Sequence, residues 1–274
     1  MPEGPEIRQS ADALANVLES KKINAITTGL KSLAPCKSIL VGQTVTEVTC
    51  RGKAMLIHFD NGYSIYSHNQ LYGRWVIMPL NELPDTKRSL RLGLHTDTHS
   101  ALLYSASDIS LWETSQLGEH PFLQKLGPDV LNEPVSSTQI HERLASTRFQ
   151  RRSLAALYLD QHFLAGIGNY LRSEILFFAG LHPDKKPSQL SDHELEKLAK
   201  YTIKVTEDSY RTGGYTAPVS EDKVNHHTLE EYIADRFMVF DRDGLPCRCC
   251  GETILRAERN SRRIYFCPAC QPVE

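Results

Sequence analysis

The sequence predicts an α+β protein of more than one domain: an N-terminal β-sandwich covered by a helix, a helical domain, and a C-terminal β-hairpin organised by four cysteines. Three observations carry that prediction. Between Ile23 and Ile109, short runs recur at close spacing with turn residues between them. Beyond Pro134 the apolar residues repeat at three and four instead. Near the C-terminus, Cys247-x-x-Cys250 and Cys267-x-x-Cys270 stand sixteen residues apart. At 274 residues and 41% apolar, the chain is long enough to build two cores.

Taken in order, Pro5 to Ser20 reads as an amphipathic helix, with Ile7, Ala11, Leu14 and Leu18 on one face. Strands are predicted at Thr44–Cys50, Ala54–Phe59, Tyr63–Ser67, Arg74–Met78, Leu90–Thr96 and Ala101–Tyr104. Asp60-Asn61-Gly62 predicts a type I′ hairpin. The pattern breaks at Gly127-Pro128-Asp129 and Asn132-Glu133-Pro134, so the first domain ends near residue 127. Helices follow at Ser137–Ala145, Leu154–Gln161, Tyr170–Phe178 and Asp192–Tyr210, the last opened by a Ser191/Glu194 capping box. Residues 211–223 read as a loop. The expected domains are therefore 1–127, 128–235 and 236–274.

No run of eighteen apolar residues occurs and no charged-then-apolar leader precedes the first helix, so a cytoplasmic protein is expected. A net charge of −2 argues against nonspecific coating of nucleic acid. The positive charge is nevertheless localised. Residues 236–270 hold seven arginines against four acids, and Arg148, Arg151 and Arg152 form a second knot.

Two Cys-x-x-Cys knuckles bring four thiolates around one ion at roughly 2.3 Å, the arrangement of structural zinc. Redox pairs or disulfides are the alternative. The paired spacing and the arginine-rich stretch between favour one zinc held by Cys247, Cys250, Cys267 and Cys270, with Cys249 a bystander. Four cysteines close the coordination sphere, so this metal folds the module and does no chemistry.

The opening Met1-Pro2-Glu3-Gly4-Pro5-Glu6 carries a candidate nucleophile. With Met1 removed, Pro2 has a free secondary amine, and an α-amino group titrates at about 7.7–8.0. Attack of such an amine on a sugar aldehyde carbon gives an iminium, an electron sink. Glu3 beside it is a candidate proton donor. The alternative is that Pro5 merely opens a helix whose dipole Glu3 and Glu6 complement.

Three further segments are candidates. Gly166-Ile167-Gly168-Asn169 joins two predicted helices, and its outward N–H groups suit a phosphate, with Asn169 capping the helix or holding a phosphate oxygen. Ordinary helix–turn–helix packing accounts for it equally well. Lys53, in the Arg51-Gly52-Lys53 turn, is either solvated or catalytic. Gln70-Leu71-Tyr72 combines an amide, an apolar wedge and an aromatic ring, a trio able to fill the gap left by an extruded base. Taken alone, Leu71 and Tyr72 are expected to pack into the sandwich.

These pieces together resemble the formamidopyrimidine-DNA glycosylase/endonuclease VIII family over essentially the whole chain. Met-Pro-Glu-Gly-Pro-Glu-Ile, Ser67-His68-Asn69-Gln70-Leu71-Tyr72-Gly73, Ser105–Ile109 and Gly127–Leu131 are similar to its bacterial endonuclease VIII branch. The resemblance implies a helix–two-turn–helix DNA-binding domain and a zinc-finger hairpin. It implies a monomeric base-excision-repair enzyme acting on double-stranded DNA with oxidised bases or abasic sites. Pro2 would attack C1′ and Glu3 would act as general acid. Lys53 would contact phosphate and assist elimination, and Arg262 would serve δ-elimination, with Arg263 beside it. Gln70, Leu71 and Tyr72 would fill the void after base eversion, and Lys125 and Asn169 would bind the backbone. Glu6 and Asp129 would support the site. Lys125 stands where the family leads one to expect arginine, and the 211–223 loop is longer than in that branch.

The leading expectation is a bifunctional glycosylase/AP lyase for oxidised pyrimidines, working by β,δ-elimination. Its rivals are a purine-directed relative acting on 8-oxoguanine and formamidopyrimidines, an inactive protein that binds damaged DNA, and a zinc-ribbon module with no nucleic-acid partner.

Overall fold

The computed structural model describes residues 2–218 and 235–273, so the part of the expected 211–223 loop beyond 218 lies outside the described residues. The chain separates into two compact units. One comprises Pro2 with Glu6–Lys125, the other Glu3–Pro5 with the chain from Leu126 onward. Among the described residues no helix is long and apolar enough to cross a membrane.

In the first unit, helix α1 (Gly4–Leu18) buries Ile7, Ala11, Leu14 and Leu18, the stripe read from the sequence. Strands β1 (Ala25–Thr28), β2 (Val45–Arg51), β3 (Ala54–Phe59), β4 (Tyr63–His68), β5 (Arg74–Pro79), β6 (Leu90–His95), β7 (His99–Tyr104) and β8 (Asp108–Glu113) form two antiparallel sheets. Their orders are β2-β3-β4-β8 and β1-β6-β7-β5. Met55, Ile57 and Ile65 of the first sheet share one apolar cluster with Ile26, Leu94 and Leu103 of the second and with the α1 stripe. That is a sandwich with a covering helix.

The predicted strands hold to within two residues. Strands β1 and β8 and the short helix α2 (Pro35–Leu40) were not predicted. Strand β1 is only four residues long, and β8 begins on Asp108, directly after a Ser-Ala-Ser turn. The turn after β3 differs from the expected type I′. Only Gly62 has positive φ (79°), and its N–H donates to Phe59 O at 3.2 Å. Three residues link the strands, so a type I turn closed by a left-handed glycine fits where a two-residue turn does not.

In the second unit, α3 (Ser137–Ala145), α4 (Leu154–Leu157), α5 (Asn169–Ala179) and α6 (Asp192–Arg211) precede β9 (Leu255–Arg259) and β10 (Arg262–Phe266). The predicted box opens α6: the Ser191 hydroxyl accepts the Glu194 N–H while the Glu194 carboxylate accepts the Ser191 N–H. Helix α4 stops well short of Gln161. The Asp160 carboxylate takes the His162 N–H at 2.9 Å and pairs with Arg152, closing a turn where the helix was expected to continue. Strands β9 and β10 meet at Asn260-Ser261, both with positive φ, the pattern of a type I′ turn.

Ile264 of β10 joins the helical core around Ile140, Leu171 and Leu198, and Phe177 of α5 joins the cluster of Val239, Tyr265 and Cys267. A buried carboxylate reinforces this. Glu174 on α5 accepts the N–H groups of Met238, Val239 and Phe240, each at 2.9 Å, and the Thr216 hydroxyl. Glu174→Ala leaves three main-chain donors, those of Met238 and Val239 buried, without an acceptor. It is expected to cost about 3 kcal/mol or more by urea denaturation, and a loss below about 1 kcal/mol contradicts that assignment.

Candidate active site

The site in the second unit is built on three glycines. The Gly4 N–H donates to Gly166 O at 2.8 Å, an approach at which a Cβ on Gly4 would already lie 3.3 Å from the Gly166 backbone. Gly166 itself has φ of 85°. A Cβ on Gly168 would sit 2.3 Å from Glu3 Cδ. The missing side chain at Gly168 therefore admits the Glu3 carboxylate.

That carboxylate is 2% exposed. Its Oε2 accepts the Gly168 N–H at 2.7 Å and the Leu171 N–H at 3.3 Å, and its Oε1 accepts the Tyr170 N–H at 2.8 Å. These donors surround the start of α5, where backbone N–H groups lack intrahelical partners and the dipole favours negative charge. Hydrogen bonds to a charged group are worth about 1.5–3 kcal/mol each. The sequence suggested that these N–H groups are open for phosphate. The structure corrects this: Glu3 takes them. Asn169 is not the cap either. Gly168 is, and Asn169 Oδ1 accepts from Arg172 Nη2 at 2.5 Å.

Arg172 escaped the sequence reading, although a charge inside the apolar run of α5 is a legible signal. It is completely buried and donates to Ala155 O and Arg263 O, both at 2.8 Å. Burial pulls its pKa down to about 10, Glu3 raises it and Arg262 lowers it. Glu3, Asn169, Arg172 and Arg262 thus form one electrostatic group within this unit.

Arg262 and Arg263 are neighbours on β10 and so point to opposite faces. The Arg263 side chain bonds the Tyr265 phenol, while the charge of Arg262 reaches Arg172. Most of the other arginines have structural work. Arg259 forks onto Asp184 at 2.6 and 2.7 Å, Arg256 faces Asp243 and Arg248 faces Asp235. Arg242 holds Met238 O and Pro246 O, and Arg236 holds Gly214 O. The Arg262 side chain forms no hydrogen bond or ion pair among the described residues.

In the first unit, Gly52-Lys53 joins β2 to β3, with Gly52 at φ 60° and Lys53 half-buried. The Ala54–His68–Asp108 rung across β3, β4 and β8 lies next to this turn. Burial lowers the His68 pKa, Asp108 opposes this and Lys53 adds to it. Beyond His68 the chain reverses tightly. The Gly73 N–H donates to Asn69 O at 2.7 Å, and a Cβ on Gly73 would meet that oxygen at 2.6 Å. Leu71 and Tyr72 are 56% and 67% exposed, so they do not pack into the sandwich as their apolarity alone suggested. Lys125 is exposed at the end of the 3-10 turn Leu123–Lys125. Asp129 is buried in the second unit and closes its own turn onto Leu131 and Asn132.

The Sγ atoms of Cys247, Cys250, Cys267 and Cys270 all lie within 4.8 Å of one another, with Cys247–Cys270 at 3.9 Å and Cys250–Cys267 at 3.4 Å. Four thiolates at about 2.3 Å from one tetrahedral ion stand about 3.8 Å apart. The cluster is therefore able to hold a metal ion. Backbone N–H groups of Cys249 and Cys270 donate to the sulfurs of Cys247 and Cys267, which suits thiolates. Cys249 itself is exposed.

With the geometry in hand, the chain can be compared with known proteins. Residues 1–107 match the formamidopyrimidine-DNA glycosylase N-terminal domain, and residues 126–220 match the formamidopyrimidine-DNA glycosylase H2TH domain. The chain is 46% identical to Endonuclease 8 of Escherichia coli (strain K12 / DH10B) over 271 residues, 99% of this chain and all of that one. It is 44% identical to Endonuclease 8 of Pectobacterium carotovorum subsp. carotovorum (strain PC1) over the same span. Its fold matches the Lactococcus lactis formamidopyrimidine-DNA glycosylase bound to abasic-site DNA, with a TM-score of 0.82, 22% identity and 98% and 99% of the two chains covered. The chain belongs to the formamidopyrimidine-DNA glycosylase/endonuclease 8 family of DNA glycosylases and AP lyases.

Proposed function

We propose that this enzyme excises oxidised pyrimidines, such as thymine glycol and 5-hydroxycytosine, from duplex DNA with Pro2 as nucleophile, and cuts the strand by β,δ-elimination. The observation that carries this reading is the Glu3 carboxylate, buried and held by three N–H groups directly beside Pro2 in the chain. A helix cap alone needs no preceding secondary amine.

In this mechanism the Pro2 nitrogen bonds to C1′, the glycosidic bond breaks and the base departs with its electron pair. The Glu3 carboxylate takes the proton that the Pro2 amine loses and passes it to the ring oxygen as the sugar opens, leaving an iminium. The iminium acidifies the C2′ proton, whose loss expels the 3′ phosphate. A second elimination expels the 5′ phosphate and leaves a one-nucleotide gap with phosphates at both ends. Lys53 assists the eliminations and contacts phosphate, and Arg262 serves the second step. Lys125 and Asn169 hold the backbone, while Gln70, Leu71 and Tyr72 enter the space of the everted base. Eversion costs a few kcal/mol, less at a damaged pair, which favours lesions over intact DNA.

Functionally the chain divides into a catalytic sandwich at 1–127, a helix–two-turn–helix domain at 128–235 and a zinc hairpin at 236–274. The enzyme works as a monomer in the cytoplasm. Zinc suits the four thiolates and leaves no coordination site for substrate.

Borohydride reduces the iminium to a stable amine, trapping enzyme on DNA. The expected adduct is strongest on thymine glycol duplexes, weaker on 8-oxoguanine, and absent in Pro2→Thr. Exclusive trapping on 8-oxoguanine overturns the pyrimidine preference, and binding without any adduct overturns the chemistry. Chelation is expected to release zinc, disorder the hairpin around Tyr265 and Phe266 in the near-UV spectrum, and weaken DNA binding about tenfold or more through lost phosphate contacts. Unchanged affinity after metal loss contradicts the hairpin's role.

A further inference from the structure

The start of α5 carries a contact that the proposed chemistry leaves unused. Glu3 occupies the N–H groups of Gly168, Tyr170 and Leu171, so the phosphate-binding role proposed for Asn169 falls to its side-chain amide. An amide can meet a phosphate only through its NH2, because a phosphate oxygen accepts and does not donate. Asn169 is half-buried, and its Nδ2 has no partner among the described residues, whereas its Oδ1 accepts from Arg172 Nη2 at 2.5 Å.

Arg172 gives this contact a single sense. A guanidinium offers only donors and no acceptor, so the oxygen of the amide, never its NH2, can face it. The side chain is completely buried and has no room to turn aside. Its Nη1 donates to Ala155 O and its Nη2, besides serving Asn169, donates to Arg263 O, both at 2.8 Å. The end of α4 and the hairpin strand β10 therefore fix the planar fork from two elements. Turning the Asn169 amide over would set its NH2 against a buried NH2, donor against donor, and leave the Arg172 hydrogen without an acceptor.

We propose that Arg172 is a positioning residue for DNA binding: it locks the Asn169 amide with its NH2 outward, as a donor to a backbone phosphate. This rests on the reading of Asn169 as a backbone contact. A hydroxyl in the place of the guanidinium would accept as well as donate and leave both amide orientations open. An amide free to turn would present its oxygen to the phosphate, where acceptor meets acceptor. Because the Arg263 carbonyl is one of the groups that hold Arg172, the setting of Asn169 also depends on a seated hairpin.

The test measures kcat and KM for base excision from thymine glycol duplexes, and Kd for a duplex carrying a non-cleavable abasic analogue. Asn169→Ala is expected to raise KM and Kd about tenfold with kcat unchanged, the factor carried by one hydrogen bond to a charged group. Arg172→Met should produce a similar rise, and in the Asn169→Ala background it should add less than about twofold. Arg172→Lys, whose ammonium also only donates, should recover most of the loss. A merely structural role for Arg172 would lower kcat, or would add its full effect in the Asn169→Ala background, and either result overturns the proposal. Bound zinc and thermal melting show whether each Arg172 variant is folded. Where they are not, Asn169→Asp decides with Arg172 intact. Its carboxylate accepts from Arg172 and turns a bare oxygen to the phosphate, so it should bind about fivefold or more weakly than Asn169→Ala. Equal or tighter binding overturns the proposal. Borohydride adducts in wild type show that the underlying reaction stands, and their absence removes the functional reading. Unchanged KM and Kd in Asn169→Ala, with adducts present, removes the backbone contact and this inference alone.

Discussion

The arrangement depends first on one carboxylate at the start of one helix. Glu3 reaches donors 165 to 168 positions along the chain and takes three N–H groups around the N-terminus of α5. A buried carboxylate without partners is costly, and a buried helix start without acceptors is costly too. Each solves the problem of the other. The glycines at 4, 166 and 168 are the steric condition: Gly4 and Gly168 clear the space in which main chain and carboxylate must meet, and Gly166 takes the left-handed φ of the turn. Because three fixed donors hold it, Glu3 has little freedom to turn, which is what a carboxylate that takes a proton and passes it on at a defined place requires.

A second layer follows from the first. With Glu3 holding the helix start, Asn169 is left for Arg172, and Arg172 reaches from α5 to the Arg263 carbonyl on the hairpin. Glu174, one turn-face away, secures the 238–240 main chain. Arg172 and Glu174 thus tie the Arg263 main chain of the hairpin and the 238–240 main chain to the helical core, and neither Arg262 nor Arg263 has an ion-pair partner among the described residues. The count of seven arginines in 236–270 overstated the charge available to DNA, since acids and carbonyls engage five of them.

Much of this was legible beforehand, for identifiable reasons. The α1 stripe, the longer strands and the Ser191 cap are local patterns, and they survive folding because the period that reveals them also buries them. The cysteine spacing is similarly local. What escaped was either short or non-local. Strand β1 has four residues, and β8 is recognisable only beside β4. The Gly166–Gly168 turn was read as a phosphate cradle because its real partner lies at the other end of the chain. Exposure of Leu71 and Tyr72 follows from the Asn69–Gly73 closure, which composition does not disclose.

Amide hydrogen exchange at Gly168, Tyr170 and Leu171 tests the central constraint directly, read in wild type and in Glu3→Ala. Slow exchange at all three in wild type, becoming fast in the variant while the interior of α5 stays protected, is the predicted result. Fast exchange in wild type, or slow exchange that survives loss of the carboxylate, would mean that something other than Glu3 satisfies the helix start.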